Sequence, residues 1–92
     1  MKYVIKVTSQ FKQDLKTVKK RGYRKELLED VVQLLAEGAA LPPQYRDHDL
    51  SGSWKGFREC HITPDWLLVY QIFEETLILS LTRTGSHSDL GF

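Results

Sequence analysis

The spacing of hydrophobic positions changes along the chain, and each change marks an element. Tyr3–Val7 is short, rich in β-formers and followed by Thr8-Ser9, so it reads as a strand. Ser9 stands where a helix N-cap is expected. Phe11, Leu15 and Val18 then recur at i, i+4 and i+7, the apolar stripe of a helix that Gly22 stops. A second helical pattern runs from Arg24 to Glu37. Leu27, Leu28, Val31, Val32, Leu34 and Leu35 form its broad apolar face, and Gly38 ends it. The short link at Gly22 makes the pair an antiparallel helical hairpin.

Beyond Gly38 the helical period is lost. Ala39–Asp49 reads as a loop, because Pro42-Pro43 cannot continue a helix. Leu50–Trp54 contains Gly52 and reads as a short strand or a turn. Gly56–Ile62 and Trp66–Phe73 read as strands joined by a turn at Thr63-Pro64-Asp65. Glu74–Thr76 makes the next turn, Leu77–Thr84 the last strand, and Gly85–Phe92 a tail that is polar until its final residues. Consecutive strands with such short turns form an antiparallel meander. Trp66–Phe73 is apolar at both parities and is expected in the middle of the sheet. The expected fold class is therefore α+β, in the order β-α-α-β-β-β: an antiparallel sheet with the helical hairpin packed on one face, as a single domain over residues 1–92.

Composition narrows the classes. With 41% hydrophobic and 27% charged residues the chain is ordinary for a globular domain. No run approaches the roughly 18–20 apolar residues of a membrane span. The N-terminal MKYVIKVTSQFK lacks the apolar core of a signal peptide, so a cytoplasmic location is expected and no membrane partner. Cys60, the single cysteine, excludes an internal disulfide and a cysteine-built metal site. A net charge of +1 conceals an uneven distribution: residues 1–25 carry nine Lys or Arg against Asp14 alone. A near-neutral total speaks against non-specific coating of DNA. A basic end of this density suits local docking on a large polyanion.

The candidate chemistry lies in the second half. His48 sits in Arg46-Asp47-His48-Asp49, His61 near a strand end, and His87 after Thr84-Gly85-Ser86. In a meander, the end of the first strand, the start of the second and the end of the third share one edge. His61, Asp65, Trp66, Arg83 and His87 are therefore expected to converge there. Strict alternation puts Arg83 on the face of Leu77, Leu79 and Leu81, so a bulge or the strand's end has to release it. Imidazoles can give and take protons near neutral pH, and an arginine can clamp a phosphate. That equipment suits metal-free RNA cleavage through the 2′-hydroxyl. Zinc held by His61, Asp65 and His87 is a rival use, but no close ligand pair supports it, so neither metal nor cofactor is expected. Cys60 and His61 point to opposite faces of a strand and should not form a nucleophile pair. Trp54, Trp66 and Phe92 are candidates for stacking on bases.

The run Tyr45-Arg46-Asp47-His48-Asp49-Leu50-Ser51-Gly52-Ser53-Trp54-Lys55-Gly56-Phe57-Arg58-Glu59-Cys60-His61-Ile62-Thr63-Pro64-Asp65-Trp66 closely resembles the YafQ group of bacterial type II toxins, in the RelE/ParE superfamily. Arg83-Thr84-Gly85-Ser86-His87-Ser88-Asp89-Leu90 resembles that family's C-terminus. The resemblance implies a RelE-like fold and a ribosome-dependent mRNA endonuclease that cuts mRNA in the decoding site. It also implies a DinJ-like antitoxin that silences the toxin, which is itself expected to be monomeric. Carried over by motif, the catalytic set is His48, His61, Asp65, Arg83 and His87. Trp66, Phe92 and Lys55 are the candidate substrate contacts. Lys12, Lys16, Lys19, Lys20 and Arg21 are the candidate contacts to ribosomal RNA. Gly91 places Phe92 one position later than the family's usual aromatic. The alternatives are a ParE-like inhibitor of DNA gyrase and a non-catalytic relative that acts by binding.

Overall fold

A computed structural model describes all residues, Met1–Phe92. Strand β1 (Val4–Val7) leads into helices α1 (Ser9–Lys20) and α2 (Lys25–Ala36). Then come β2 (His48–Asp49), β3 (Arg58–Thr63), β4 (Trp66–Phe73), β5 (Ile78–Gly85) and a short helix α3 (His87–Leu90). The expected α+β class and element order stand. Three details differ. The Ala39–Asp49 loop holds a 3-10 turn at Pro43–Tyr45 and the two-residue β2, Leu50–Trp54 holds a 3-10 turn at Gly52–Trp54, and the polar tail holds α3.

Thr8, not Ser9, caps α1: its backbone is extended and its hydroxyl accepts from the Phe11 N–H at 3.0 Å. At the other end Gly22 adopts a left-handed φ of 81°, which lets the Tyr23 N–H reach back to the Val18 carbonyl. Phe11 and Val18 are buried along the predicted stripe, and Leu28, Val31, Leu35 and Ala36 line the buried side of α2.

The strands form one five-stranded sheet in the order β1-β5-β4-β3-β2, with β4 central as its double apolar pattern predicts. The meander and β2 pair antiparallel, while β1 lies parallel to β5. The sheet is thus mixed rather than wholly antiparallel. A parallel pair needs a long crossover, which the helical hairpin supplies. Leu77 belongs to the preceding turn, because its φ of 55° is incompatible with a strand, and β5 begins at Ile78.

Alternation sorts the sheet into two faces. Cys60, Ile62, Leu68, Tyr70, Leu79 and Leu81 join Phe11, Val18, Leu28, Val31 and Leu35 in one core between sheet and helices. Each such aliphatic contributes about 1.5–3 kcal/mol by leaving water. The register between β4 and β5 shifts between Val69 and Tyr70: Tyr70 opposes Leu81, yet Val69 opposes Arg83. Thr82 is therefore an extra residue, and this bulge moves Arg83 to the face away from the core. It resolves the conflict that strict alternation set.

Candidate active site

The open face carries two rows of side chains, fixed by strand register. One row runs Arg83, Val69, Glu59, His48 across β5, β4, β3 and β2; the next runs Gly85, Leu67, His61. Leu67 and Val69, both fully buried, form an apolar floor between the polar flanks. His87 begins α3 beside Asp65, which sits in the β3–β4 turn.

Asp65 grips His87 twice, accepting from its Nδ1 at 2.6 Å and from its backbone N–H at 3.1 Å. The ring is thereby fixed with Nδ1 as donor, leaving Nε2 facing outward. The same hydrogen bond lowers the Asp65 carboxyl below its ordinary value. The His61 ring lies 5.6 Å from that of His87 and 6.5 Å from that of His48, centroid to centroid. All three histidines therefore meet along one edge, His48 included.

Glu59, a residue outside the candidate set, joins them. Its carboxylate is only 7% exposed, and its Oε1 lies 3.2 Å from His48 Nε2 and 3.5 Å from His61 Nε2. The signal was present in parity: Glu59 and His61 are two apart on one strand and share a face. The His48 Nδ1 also donates to the Asp49 carbonyl at 3.1 Å, so both of its ring nitrogens face acceptors. Beneath His48, Arg58 binds Asp47 at 3.0 Å and Asp49 at 2.5 Å, bracketing the histidine, and the buried Tyr70 hydroxyl donates to Asp47. Burial and the Asp47 carboxylate push the Tyr70 phenol well above its usual range.

Not every candidate joins the cluster. Trp66 is 2% exposed, stands edge-on to Tyr23 at 5.0 Å, and donates its indole N–H to Thr84 Oγ1 at 2.8 Å. It is a core residue with no face free for a base, which corrects its expected role as a substrate contact. Phe92 packs on the segment between β2 and β3. Gly91, with φ 74°, turns the chain so that the Phe92 ring lies 5.6 Å from Trp54, which meets Phe57 at 5.1 Å. Lys55 is exposed just after that 3-10 turn. Lys12, Lys16, Lys19 and Lys20 are exposed on α1, but Arg21 is engaged by Asp89 through Nη2 at 2.8 Å. Arg83 lies on the site's face with Nε 2.8 Å and Nη2 3.2 Å from the Asp14 carboxylate. Burial raises the Asp14 carboxyl, but hydrogen bonds from Arg83, Gln10 and Thr84 outweigh it and hold the group low. Cys60 is buried and its thiol is pushed up to about 12, so it is inert.

A metal would find one three-ligand set here: His48, Glu59 and His61, whose ligand atoms lie within 4.8 Å of one another. Two of the edges, 3.2 and 3.5 Å, bracket the ~3.3 Å edge of a tetrahedron with zinc–nitrogen bonds of about 2.0–2.1 Å. The alternative set of His61, Asp65 and His87 does not form; Asp65 and His87 pair apart from it.

The profile of the family described as bacterial toxin of type II toxin-antitoxin system, YafQ, matches residues 3–91. The chain belongs to the YafQ toxin family. It is 38% identical over 87 residues to the mRNA interferase toxin YafQ of Escherichia coli K12, a match covering 94% of this chain and 92% of that one. It superposes on YafQ in the E. coli DinJ-YafQ complex with a TM-score of 0.87 at 37% identity, covering 96% of this chain and 97% of that chain. A metal-bound toxin from Helicobacter pylori gives a TM-score of 0.90 at 48% identity, covering 96% of this chain and 98% of that chain. This is the family to which the two sequence motifs point. No helix of the chain is long and apolar enough to cross a membrane.

Proposed function

We propose that this protein is an mRNA interferase that cuts messages in the ribosomal decoding site without a metal, and that a DinJ-like antitoxin neutralises it. The observation that carries this reading is the facing pair of imidazoles, His61 and His87, 5.6 Å apart, with Asp65 fixing one and Glu59 beside the other. A phosphodiester held between them meets a base on one side and an acid on the other. His61, whose Nδ1 is open, takes the 2′-hydroxyl proton. The 2′-oxygen attacks the adjacent phosphorus, and the bond to the 5′-oxygen breaks. His87 protonates that departing oxygen, and Asp65 stabilises the imidazolium beforehand. The products are a 2′,3′-cyclic phosphate and a 5′-hydroxyl. Arg83, His48 and the basic patch of α1 add charge stabilisation and grip on RNA. The action is placed in the cytoplasm, where messages are translated.

The test is cleavage of mRNA on programmed ribosomes, with naked mRNA and His87→Ala alongside. The expected result is a decoding-site cut that needs the ribosome and falls by about 10² or more in the variant, as loss of general acid–base catalysis requires. An uncut message together with inhibited gyrase supercoiling would replace this reading by the ParE-like one.

The His48–Glu59–His61 triangle supports a second property of the same site. The related H. pylori toxin is metal-bound. A zinc ion held by these three residues would take His61 through Nε2, which keeps the ring's proton on Nδ1 and so removes the base that cleavage uses. Added zinc is expected to inhibit, and chelator to restore activity. Zinc binding unaffected by Glu59→Gln would rule this site out.

A further inference from the structure

Two ion pairs join α1 to the segment that carries Arg83 and His87. Asp14, the single acid among the first 25 residues, uses both oxygens: Oδ2 accepts from Arg83 Nε at 2.8 Å and from the Thr84 N–H at 3.1 Å, and Oδ1 from Arg83 Nη2 at 3.2 Å. Arg21 forks onto Asp89, Nη2 to Oδ1 at 2.8 Å and Nη1 to Oδ2 at 2.5 Å. Asp14 and Arg21 are seven residues apart, so they stand on one face of the helix, about 10.5 Å apart along its axis. A polar hollow lined by Asp14, Thr17, Arg83, Thr84 and Asp89 separates the pairs. The charges are complementary: an acid then a base on the helix meet a base then an acid on the segment.

Asp89 is also the residue that closes α3. Its Oδ2 accepts from the Ser86 N–H at 2.8 Å, and its own N–H donates to Ser86 Oγ at 3.2 Å, the reciprocal pattern of a capping box. A one-turn helix has little stability of its own. Gly85 leaves room for this carboxylate: a Cβ there would come within 2.9 Å of the Asp89 Cβ. His87, the first residue of α3, is thus held from one side by Asp65 and from the other by Arg21 acting through Asp89.

We propose that α1 is a positioning strut for the catalytic segment, with Asp14 setting Arg83 and Arg21 setting His87 through Asp89. Arg21 then belongs with the chemistry rather than with the cations that dock on RNA. The inference rests on the nuclease reading above, and its test separates the two.

Cleavage on programmed ribosomes is measured for wild type, Arg21→Ala, Arg21→Lys, Asp89→Asn and the Arg21→Ala/Asp89→Asn double variant. Backbone NMR order parameters are recorded over residues 86–91 in the free protein. Asparagine retains an acceptor for the Ser86 N–H, so the cap survives while the ion pair is lost. Misplacement of a reacting group by a fraction of an ångström costs about tenfold or more. Arg21→Ala and Asp89→Asn are each expected to lower turnover at saturating ribosomes about tenfold, with KM within about twofold of wild type. The double variant should be no worse than either single one, because both remove the same link. Arg21→Lys keeps the charge but loses the fork, and should recover less than half of the loss. Order parameters over 86–91 should fall from about 0.85 toward 0.6. A raised KM with unchanged turnover, full activity in Arg21→Lys, or losses that multiply in the double variant would return Arg21 to docking. If wild type leaves the message whole, the nuclease reading fails, and the strut stands or falls on the order parameters.

Discussion

The two faces of β3–β5 are made from the same strands and differ in almost every physical respect. Toward the helices stand Cys60, Leu68, Tyr70, Leu79 and Leu81, all buried in one apolar cluster. On the other side stand Glu59, His61 and Arg83, over a floor of Leu67 and Val69. The helix face holds the fold by burial, which is non-directional and tolerant of small shifts. The open face depends on hydrogen bonds of set length, which are not. The two faces meet at Thr82, where one additional residue moves Arg83 from the first kind of environment to the second. A site can thus be grafted onto a sheet without disturbing its core, provided the strand changes phase at the right residue.

The contrast can be broken from either side. Leu68→Ala empties part of the core and should cost about 2–5 kcal/mol of stability, seen as a melting temperature lower by more than about 10 °C. Acid should strike the other side first. The carboxyls of Asp14, Asp65 and Asp89 all lie below their ordinary values in the folded protein, chiefly through partners on the catalytic segment and, for Asp89, through Arg21. A depressed folded value means that the stability is present above the unfolded value, about pH 4, and is lost as pH falls through the folded one. The melting temperature should fall as pH drops below about 4, with a shallower fall in Asp89→Asn. Glu59→Gln keeps shape but removes the charge between His48 and His61. Turnover should drop about tenfold while stability changes by no more than about 1.5–3 kcal/mol, the range of hydrogen bonds to a charged group. Phe92→Ala should have the smallest effect, a few-fold in turnover and under about 1 kcal/mol in unfolding, because the ring is 42% exposed. Its direct signature is a red shift of Trp54 fluorescence.

Much of this organisation was legible in the chain. Trp66–Phe73 could be placed as the central strand to the residue, since only a central strand tolerates apolar side chains at both parities. The meeting of His61, Asp65 and His87 followed from the two reversals of the meander. The conflict at Arg83 was visible too, although alternation could only demand a bulge, not locate it at Thr82. What was not legible depends on partners far away in sequence. Asp14 looks like a lone acid on a basic helix until β5 brings Arg83 to it. Trp66 carries the aromatic signature of a base-stacking residue, yet Tyr23 and Thr84 claim it for the core. Glu59 reads as a surface acid, and its burial comes from the histidines around it. The misplaced cap at Ser9 is of another kind: Thr8 and Ser9 are chemically equivalent as caps, and only the backbone decides between them.

The parallel pairing of β1 with β5 bears on the order of assembly. Val4 lies opposite Ile78, so the first strand finds its neighbour only after nearly the whole chain has been gathered. The meander of β3, β4 and β5 closes through short turns and can form early. Docking of β1 has to await the entropy cost of a very long closure, and such non-local pairings slow folding. Until β1 docks, β5 is an open edge, and open edges invite pairing with other chains. The N-terminal strand thus covers an edge of the sheet that would otherwise be open to pairing with other chains.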